Sequence, residues 1–299
     1  PPTAPVNRTK DMYVLTGDVY GPIVVERDNV TVDGSGYTVQ GEASNDSIGV
    51  YVSGIKNVTI ENMKIKAFWY GIYLNRSSSN AVFGSSIAAI GYGLYLESSS
   101  SNVVSGNNVA NNGYGVYLEY SSNNSISGNN VTNNGYGIHL YYSSSNNVSG
   151  NNLVANYGYG LWLHQYSNYN SISGNTVVDN GYGIYFLRLS EFNTIFENNI
   201  TANEKQGIWL HQSSRNSIHR NDIANNEYGI FFSIGFIGGS SDNLIYYNNF
   251  INNTRQVYIE NTTTTHEPPP PPVNVWDNGL EGNYWSDYMG VDENRDGIG

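Results

Sequence analysis

The chain repeats itself. Residues 111–130 read NNGYGVYLEYSSNNSISGNN, and residues 133–152 read NNGYGIHLYYSSSNNVSGNN. Aligned on the Gly before each apolar–aromatic–apolar triplet, the copies start at Gly49, Gly71, Gly93, Gly115, Gly137, Gly160, Gly183, Gly207 and Gly229, in steps of 22 to 24 residues. A further copy has Gln256 at the anchor. So short a unit cannot bury an apolar face alone and must stack on its neighbours, which makes the chain a solenoid.

Three short strands fit into each unit. The first alternates, as in Leu94-Tyr95-Leu96 or Val116-Tyr117-Leu118; period two marks a strand rather than a helix. The second lies in segments such as NVVSGN and NSISGN, and the third carries Val109, Val131, Leu153, Val177 and Ile200. Turns rich in Asn, Gly and Ser join them, with no helical pattern between. The predicted fold is all-β: a single right-handed parallel β-helix of about ten coils, its handedness following the usual crossover rule.

Two Asn columns support it. One runs from Asn107 through Asn129, Asn151, Asn175, Asn198 and Asn221 to Asn248, the other from Asn57 through Asn80 and Asn102 to Asn243. Stacked amides bond to one another, and Asn tolerates the left-handed backbone of a sharp corner. Residues 1–48 read as an N-terminal capping coil, 49–260 as the repeats, and 261–299 as a Pro-rich loop (Pro268 to Pro272) followed by a C-terminal cap. Within the cap, NVWDN resumes the second-strand pattern, and the tail is expected to cover the open end of the core.

Composition narrows the function. The net charge of -12 disfavours nucleic acid and anionic membrane, and it makes a polyanionic sugar awkward without a bridging cation. There is no Cys, hence no disulfide framework, and no stretch of 18 apolar residues. A start at Pro1 fits a processed chain. Eleven Asn-x-Ser/Thr sequons, among them Asn7, Asn45, Asn75, Asn123, Asn199 and Asn261, fit a secreted glycoprotein.

The repeats and the tail GNYWSDYMGVDENRDGIG resemble the NosD-like family of parallel β-helix repeat proteins across essentially the whole chain. That resemblance implies an exported right-handed β-helix. It also implies two kinds of work: copper-site maturation in a periplasm, and sugar binding or processing outside the cell.

In each first strand the aromatic must point away from the core. Tyr51, Tyr73, Tyr95, Tyr117, His139, Trp162, Tyr185, Trp209, Phe231 and Tyr258 therefore form one outward column, roughly 40 Å long at the strand spacing. A second column, Tyr70 to Tyr228, precedes the Gly. The column either stacks on itself or offers a platform to sugar rings or a neighbouring subunit; Tyr95, Tyr117, His139, Trp162, Tyr185 and Trp209 are its candidate ligand contacts.

Candidate chemistry is thin. Glu97 and Glu119 should be neighbours about 5 Å apart, as a surface ladder or a cation site. Arg188, Glu191, Glu204, Lys205, His211, Arg215, His219, Arg220 and Asp222 crowd two coils but occupy different faces. His164 and His211 share a repeat position two coils apart, too far to hold one ion. DENRDG sets Asp292, Asn294 and Asp296 at the first ligand positions of a calcium loop. The expectation is a non-catalytic extracellular or cell-surface protein that meets glycans or copies of itself, with a membrane anchor beyond Gly299 as one way to hold it there. A polysaccharide lyase or epimerase, or a periplasmic copper-maturation accessory protein, is the alternative.

Overall fold

A computed structural model describes residues 5–235, 238–260 and 273–289, and among these there is no helix. Three sheets of 12, 11 and 12 strands run the length of the molecule. Apart from the first hairpin, every strand pairs in parallel with its equivalent one coil before and one coil after. The six-residue strand Tyr114–Glu119 lies between Tyr92–Glu97 and Tyr136–Tyr141, with Val116 opposite Leu94 and Ile138. Three-residue strands such as Ser125–Ser127 and Asn130–Thr132 build the other two sheets. The predicted β-solenoid, with three strands per coil, is the observed fold.

Each coil turns the same few apolar residues inward. In one coil these are Val116, Leu118, Ile126 and Val131, all fully buried. Burying such a side chain stabilises by roughly 1.5–3 kcal/mol. The same four positions repeat in every coil, so the core is a set of continuous apolar columns.

The corners carry the other half of the fold. Their residues adopt left-handed backbone, as at Asn111, Asn123 and Asn133. Beside each corner a buried Asn points inward. The Asn129 backbone N–H and Nδ2 both donate to Asn151 Oδ1, at 3.0 and 2.9 Å. Asn151 Nδ2 in turn donates to the Ile126 carbonyl at 2.8 Å and to Asn175 Oδ1 at 3.0 Å. Each amide thus satisfies corner groups that would otherwise be buried without partners.

The two expected Asn columns are present, with one correction. Asn57 is exposed and bonds to Asn29 Oδ1, while the neighbouring Val58 takes the ladder place and donates its N–H to Asn80 Oδ1. The copies are 22 residues apart there, as elsewhere in the early coils, and Asn57 lies one residue before the ladder position. Two further ladders escaped the sequence reading. Asn112, Asn134, Asn156, Asn180, Asn203 and Asn226 form a third buried Asn ladder. Ser77, Ser99, Ser121 and Ser143 form a Ser ladder, each N–H donating to the next Oγ.

Glycine at the anchor is a packing requirement. A Cβ on Gly137 would lie 2.3 Å from the Gly160 carbonyl oxygen. At the N-terminal end, Val6–Thr9 turns back antiparallel on Met12–Leu15. At the other end, Asn274 and Asn283 extend two Asn ladders. Trp285 lies flat on Phe250 at 4.4 Å, and Trp276 packs edge-on against Phe232. Trp276 and Trp285 thus pack against the core at this end.

Replacing a ladder amide should cost far more than replacing a surface one. Asn151→Ala strips partners from several buried groups, so unfolding free energy should fall by about 3 kcal/mol or more. Asn199→Ala, on the exposed face, should change it by less than about 0.5 kcal/mol. Denaturant titration followed by circular dichroism compares the two; equal midpoints would contradict the ladder's role.

Candidate functional site

The outward face of the six-residue strands carries a run of aromatic side chains together with Glu97, Glu119, His139, His164 and His211. Alternation along these strands breaks once, at the anchor. Gly71 and Ile72 both face the core, so Tyr70 and Tyr73, three apart, emerge on the same outer face. Only a residue without Cβ allows two consecutive inward positions here.

The result is two aromatic columns side by side. Within columns the rings lie nearly parallel at the coil spacing: Tyr70 to Tyr92 at 5.2 Å and 10°, Tyr92 to Tyr114 at 5.0 Å and 8°, Tyr95 to Tyr117 at 5.3 Å and 15°. Across columns Tyr92 meets Tyr95 at 5.2 Å. Stacking of the column on itself, the first of its two readings, is what these rings do, and Tyr95, His139 and Tyr185 are buried. Tyr117, Trp162 and Trp209 are half-buried.

Glu97 and Glu119 are neighbours in register, as expected. Each accepts a phenol proton from the coil before: Tyr73 donates to Glu97, and Tyr95 to Glu119 at 2.5 Å. Burial, followed by these bonds, pushes both phenols above their ordinary range. The pair is a tyrosine-held ladder.

One coil further the pattern changes. His139 replaces the column tyrosine, is only 4% exposed, and stacks on Trp162 at 4.0 Å and 4°. Trp162 lies alongside His164 at 4.7 Å and 9°. Both ring nitrogens of His139, Nε1 of Trp162 and Nδ1 of His164 are buried without a hydrogen-bond partner. Burial lowers the His139 pKa far below its ordinary value. Burial, then the Arg188 charge, lowers that of His164 to about 4. Both are neutral at pH 7.

His164, Leu187, His211 and Ser233 follow one another in register on this face. Trp209 Nε1 donates to Ser233 Oγ at 2.6 Å, and His211 Nδ1 lies 2.8 Å from the same oxygen. Indole N–H can only donate, so the hydroxyl proton is free for His211 Nδ1. Burial lowers the His211 pKa too.

Arg188 follows Leu187 at the corner, and its N–H donates to the His211 carbonyl at 3.0 Å. It is exposed and has no acid partner among the described residues. The crowded charges do not all converge, as expected, but Arg188 and His211 do join His164. Glu191 pairs instead with Arg215 at 3.2 Å, and His219 stacks with Phe196 and Tyr246 on another sheet.

Beside Arg188 runs a row that sequence reasoning missed. Tyr120 and Tyr142 stack at 5.1 Å, and Tyr142 and Tyr166 at 5.9 Å. Tyr120 is 54% and Tyr166 50% exposed. All three have left-handed backbone, φ 47, 47 and 53. Doubled aromatics (EY, YY, then HQY) after the first strand were the available signal.

Of the glycosylation candidates, Asn7, Asn45, Asn123 and Asn199 are exposed, and Asn75 is half-buried with Nδ2 donating to Tyr51 Oη. Asn261 and the calcium-loop residues Asp292, Asn294 and Asp296 lie outside the described residues. Among the described residues no three of His, Asp and Glu gather as metal ligands, and no helix is long and apolar enough to cross a membrane.

Comparison with known proteins agrees with the fold. The family model described as "Periplasmic copper-binding protein (NosD)" matches residues 20–199 and 170–290. No curated protein sequence matches the chain. The A-module of the mannuronan C-5 epimerase AlgE4 of Azotobacter vinelandii superposes with a TM-score of 0.70 at 16% identity, covering 87% of this chain and 78% of that one. A double mutant of the periplasmic alginate epimerase AlgG gives 0.70 at 17% identity, covering 91% and 73%. DFA-IIIase of Arthrobacter chlorophenolicus A6, without its lid, gives 0.60 at 14%, covering 78% and 65%.

The orphaned imidazoles predict acid sensitivity. Folded-state pKa values below the ordinary 6.5 mean that the unfolded chain takes up protons which the folded chain refuses. Their contribution is whole above about pH 6.5 and is lost as pH falls towards about 4. His139→Tyr restores the column residue, and its phenol would reach towards His164 as that of Tyr95 reaches Glu119. Melting temperatures measured from pH 8 to 4 should fall less steeply for this variant and be higher at pH 7. An unchanged pH profile would refute the assignment.

Proposed function

The chain belongs to the NosD family of parallel β-helix proteins, and we propose that it is an exported, non-catalytic member that binds a glycan along its outward aromatic face. The observation that carries this reading is the corner row Tyr120, Tyr142 and Tyr166. A bulky side chain is disfavoured in left-handed backbone, and the same corner in other coils holds Gly54, Arg76, Ser98, Gln165, Arg188 and Gln212. Only here do the corners build a stack of rings, with Tyr120 and Tyr166 exposed and Tyr142 half-buried between them. Rings with accessible surface beside hydroxyls and imidazoles suit a sugar chain, whose one side is apolar and whose rim is polar.

The column residues Tyr95, Tyr117, His139, Trp162, Tyr185 and Trp209 form the wall beside this row and set its rigidity. Structural relatives named as alginate epimerases support a saccharide partner through the shared fold. An exported setting is consistent with the family description and with exposed sequons.

Copper, which the family description names, does not fit the described residues. The His139 and His164 rings lie parallel with centroids 5.7 Å apart, and Nδ1 of His211 faces Ser233. Met63 is sealed in the core, and there is no Cys. A copper centre wants three or four such donors converging.

A glycan array tests the reading against a Tyr120→Asn/Tyr166→Asn variant. Asn suits the left-handed backbone, so the variant should melt at the same or a higher temperature. It should nonetheless lose binding about tenfold or more, the size of two aromatic contacts. Equal binding by both proteins, or none by either, would defeat the proposal.

A further inference from the structure

The binding face is not uniform in charge, and this deepens the glycan reading on which it rests. Along the register of Glu97 and Glu119 the outward residues continue as Tyr141, His164, Leu187, His211 and Ser233. Acids stand at one end, and Glu260 follows beyond the other. Between them Arg188 stands at the corner, flanked by His164 from the coil before and His211 from the coil after, while the Lys205 ammonium on this face is taken up by the Tyr182 ring and hydroxyl.

Four features make this middle stretch a built site. Arg188 has no carboxylate partner among the described residues, while the nearby Glu191 is held by Arg215. Ser233 Oγ bridges Trp209 Nε1 and His211 Nδ1 and so holds the His211 ring in place. His164 Nδ1 is buried without a partner, and the ring lies half-buried on this face. The wall beside them contains His139, over nine-tenths buried, with both nitrogens unpartnered. Buried polar groups without partners are rare in stable folds and concentrate where something else is bound.

We propose that Arg188, with His164 and His211 on either side, is a subsite for the carboxylate of an acidic sugar, so that the glycan taken by this face contains uronic acid residues. Guanidinium presents paired N–H groups that match a carboxylate's two oxygens. A neutral imidazole N–H adds a donor without a second charge. One cation with neutral donors suits one singly charged group per sugar. The Tyr120–Tyr142–Tyr166 row leads up to this position, the Tyr166 N–H donating to the Arg188 carbonyl at 3.1 Å.

The test is calorimetric titration of the purified protein with a defined oligogalacturonate, an oligomannuronate, and the methyl ester of each. At least one acid form should bind about tenfold or more tightly than its ester, the size of one charge-assisted contact. Arg188→Gln should erase that difference, and Arg188→Lys should restore part of it. Arg220→Gln, the same charge change beside Tyr247, should leave it intact. Acid and ester binding equally, with both lost in Tyr120→Asn/Tyr166→Asn, would overturn the uronate subsite and keep the glycan face. An acid preference that survives Arg188→Gln would overturn the role of Arg188. No binding by any form, on a protein whose array also stays blank, would overturn both readings.

Discussion

The structure depends on the buried corner amide. A parallel β-helix must turn three times per coil, and each turn leaves backbone N–H and C=O groups facing inward where water cannot reach. Unpaired, each would cost about 1–3 kcal/mol, several times per coil. Asn solves this with one side chain, because its carbonyl accepts from the coil before while its amide donates to a corner carbonyl and to the next Asn. Asp could not donate, and Gln would set its amide one methylene too far in. The ladder therefore locks the register of each coil to the next.

Locked register makes the outer face consequential. Because equivalent residues stand directly above one another, one residue type kept through the repeats becomes a column and a change in one repeat becomes a local site. The tyrosine columns are the first case: their rings stack at the coil spacing and stabilise the face. His139 is the second. It occupies a tyrosine's place and leaves two buried nitrogens without partners. A position that gives up stability where the restoring residue is standard in neighbouring coils marks a site with another use.

The fold was legible because its determinants are local and repeated: apolar alternation, the anchor Gly, and Asn at fixed offsets. Errors arose where an Asn sits one residue off the ladder position, as at Asn57 beside Val58, or where a ladder lacked a full early column, as for Asn112 to Asn226. Ring orientation was not legible, since alternation says which side of the sheet a residue leaves and nothing about how its plane lies. The grouping of Arg188 with His164 and His211 was also hidden. Arg188 sits at a left-handed corner, outside the alternating strand, so strand periodicity assigns it no face.

Net charge is a poor guide on a solenoid for the same reason. A globular surface mixes its charges in space, but a stack of coils lays them out in the order of the repeats. The overall balance of -12 argues against a polyanion meeting the whole molecule. It does not argue against one meeting a stretch where the acids have ended and a lone guanidinium stands between neutral imidazoles. Over separations near the Debye length, about 8 Å in physiological salt, a ligand senses roughly two coils either side of its contact. The Arg188 stretch spans about that distance between His164 and His211, so its local field, rather than the sum over the chain, is what an anionic group meets there.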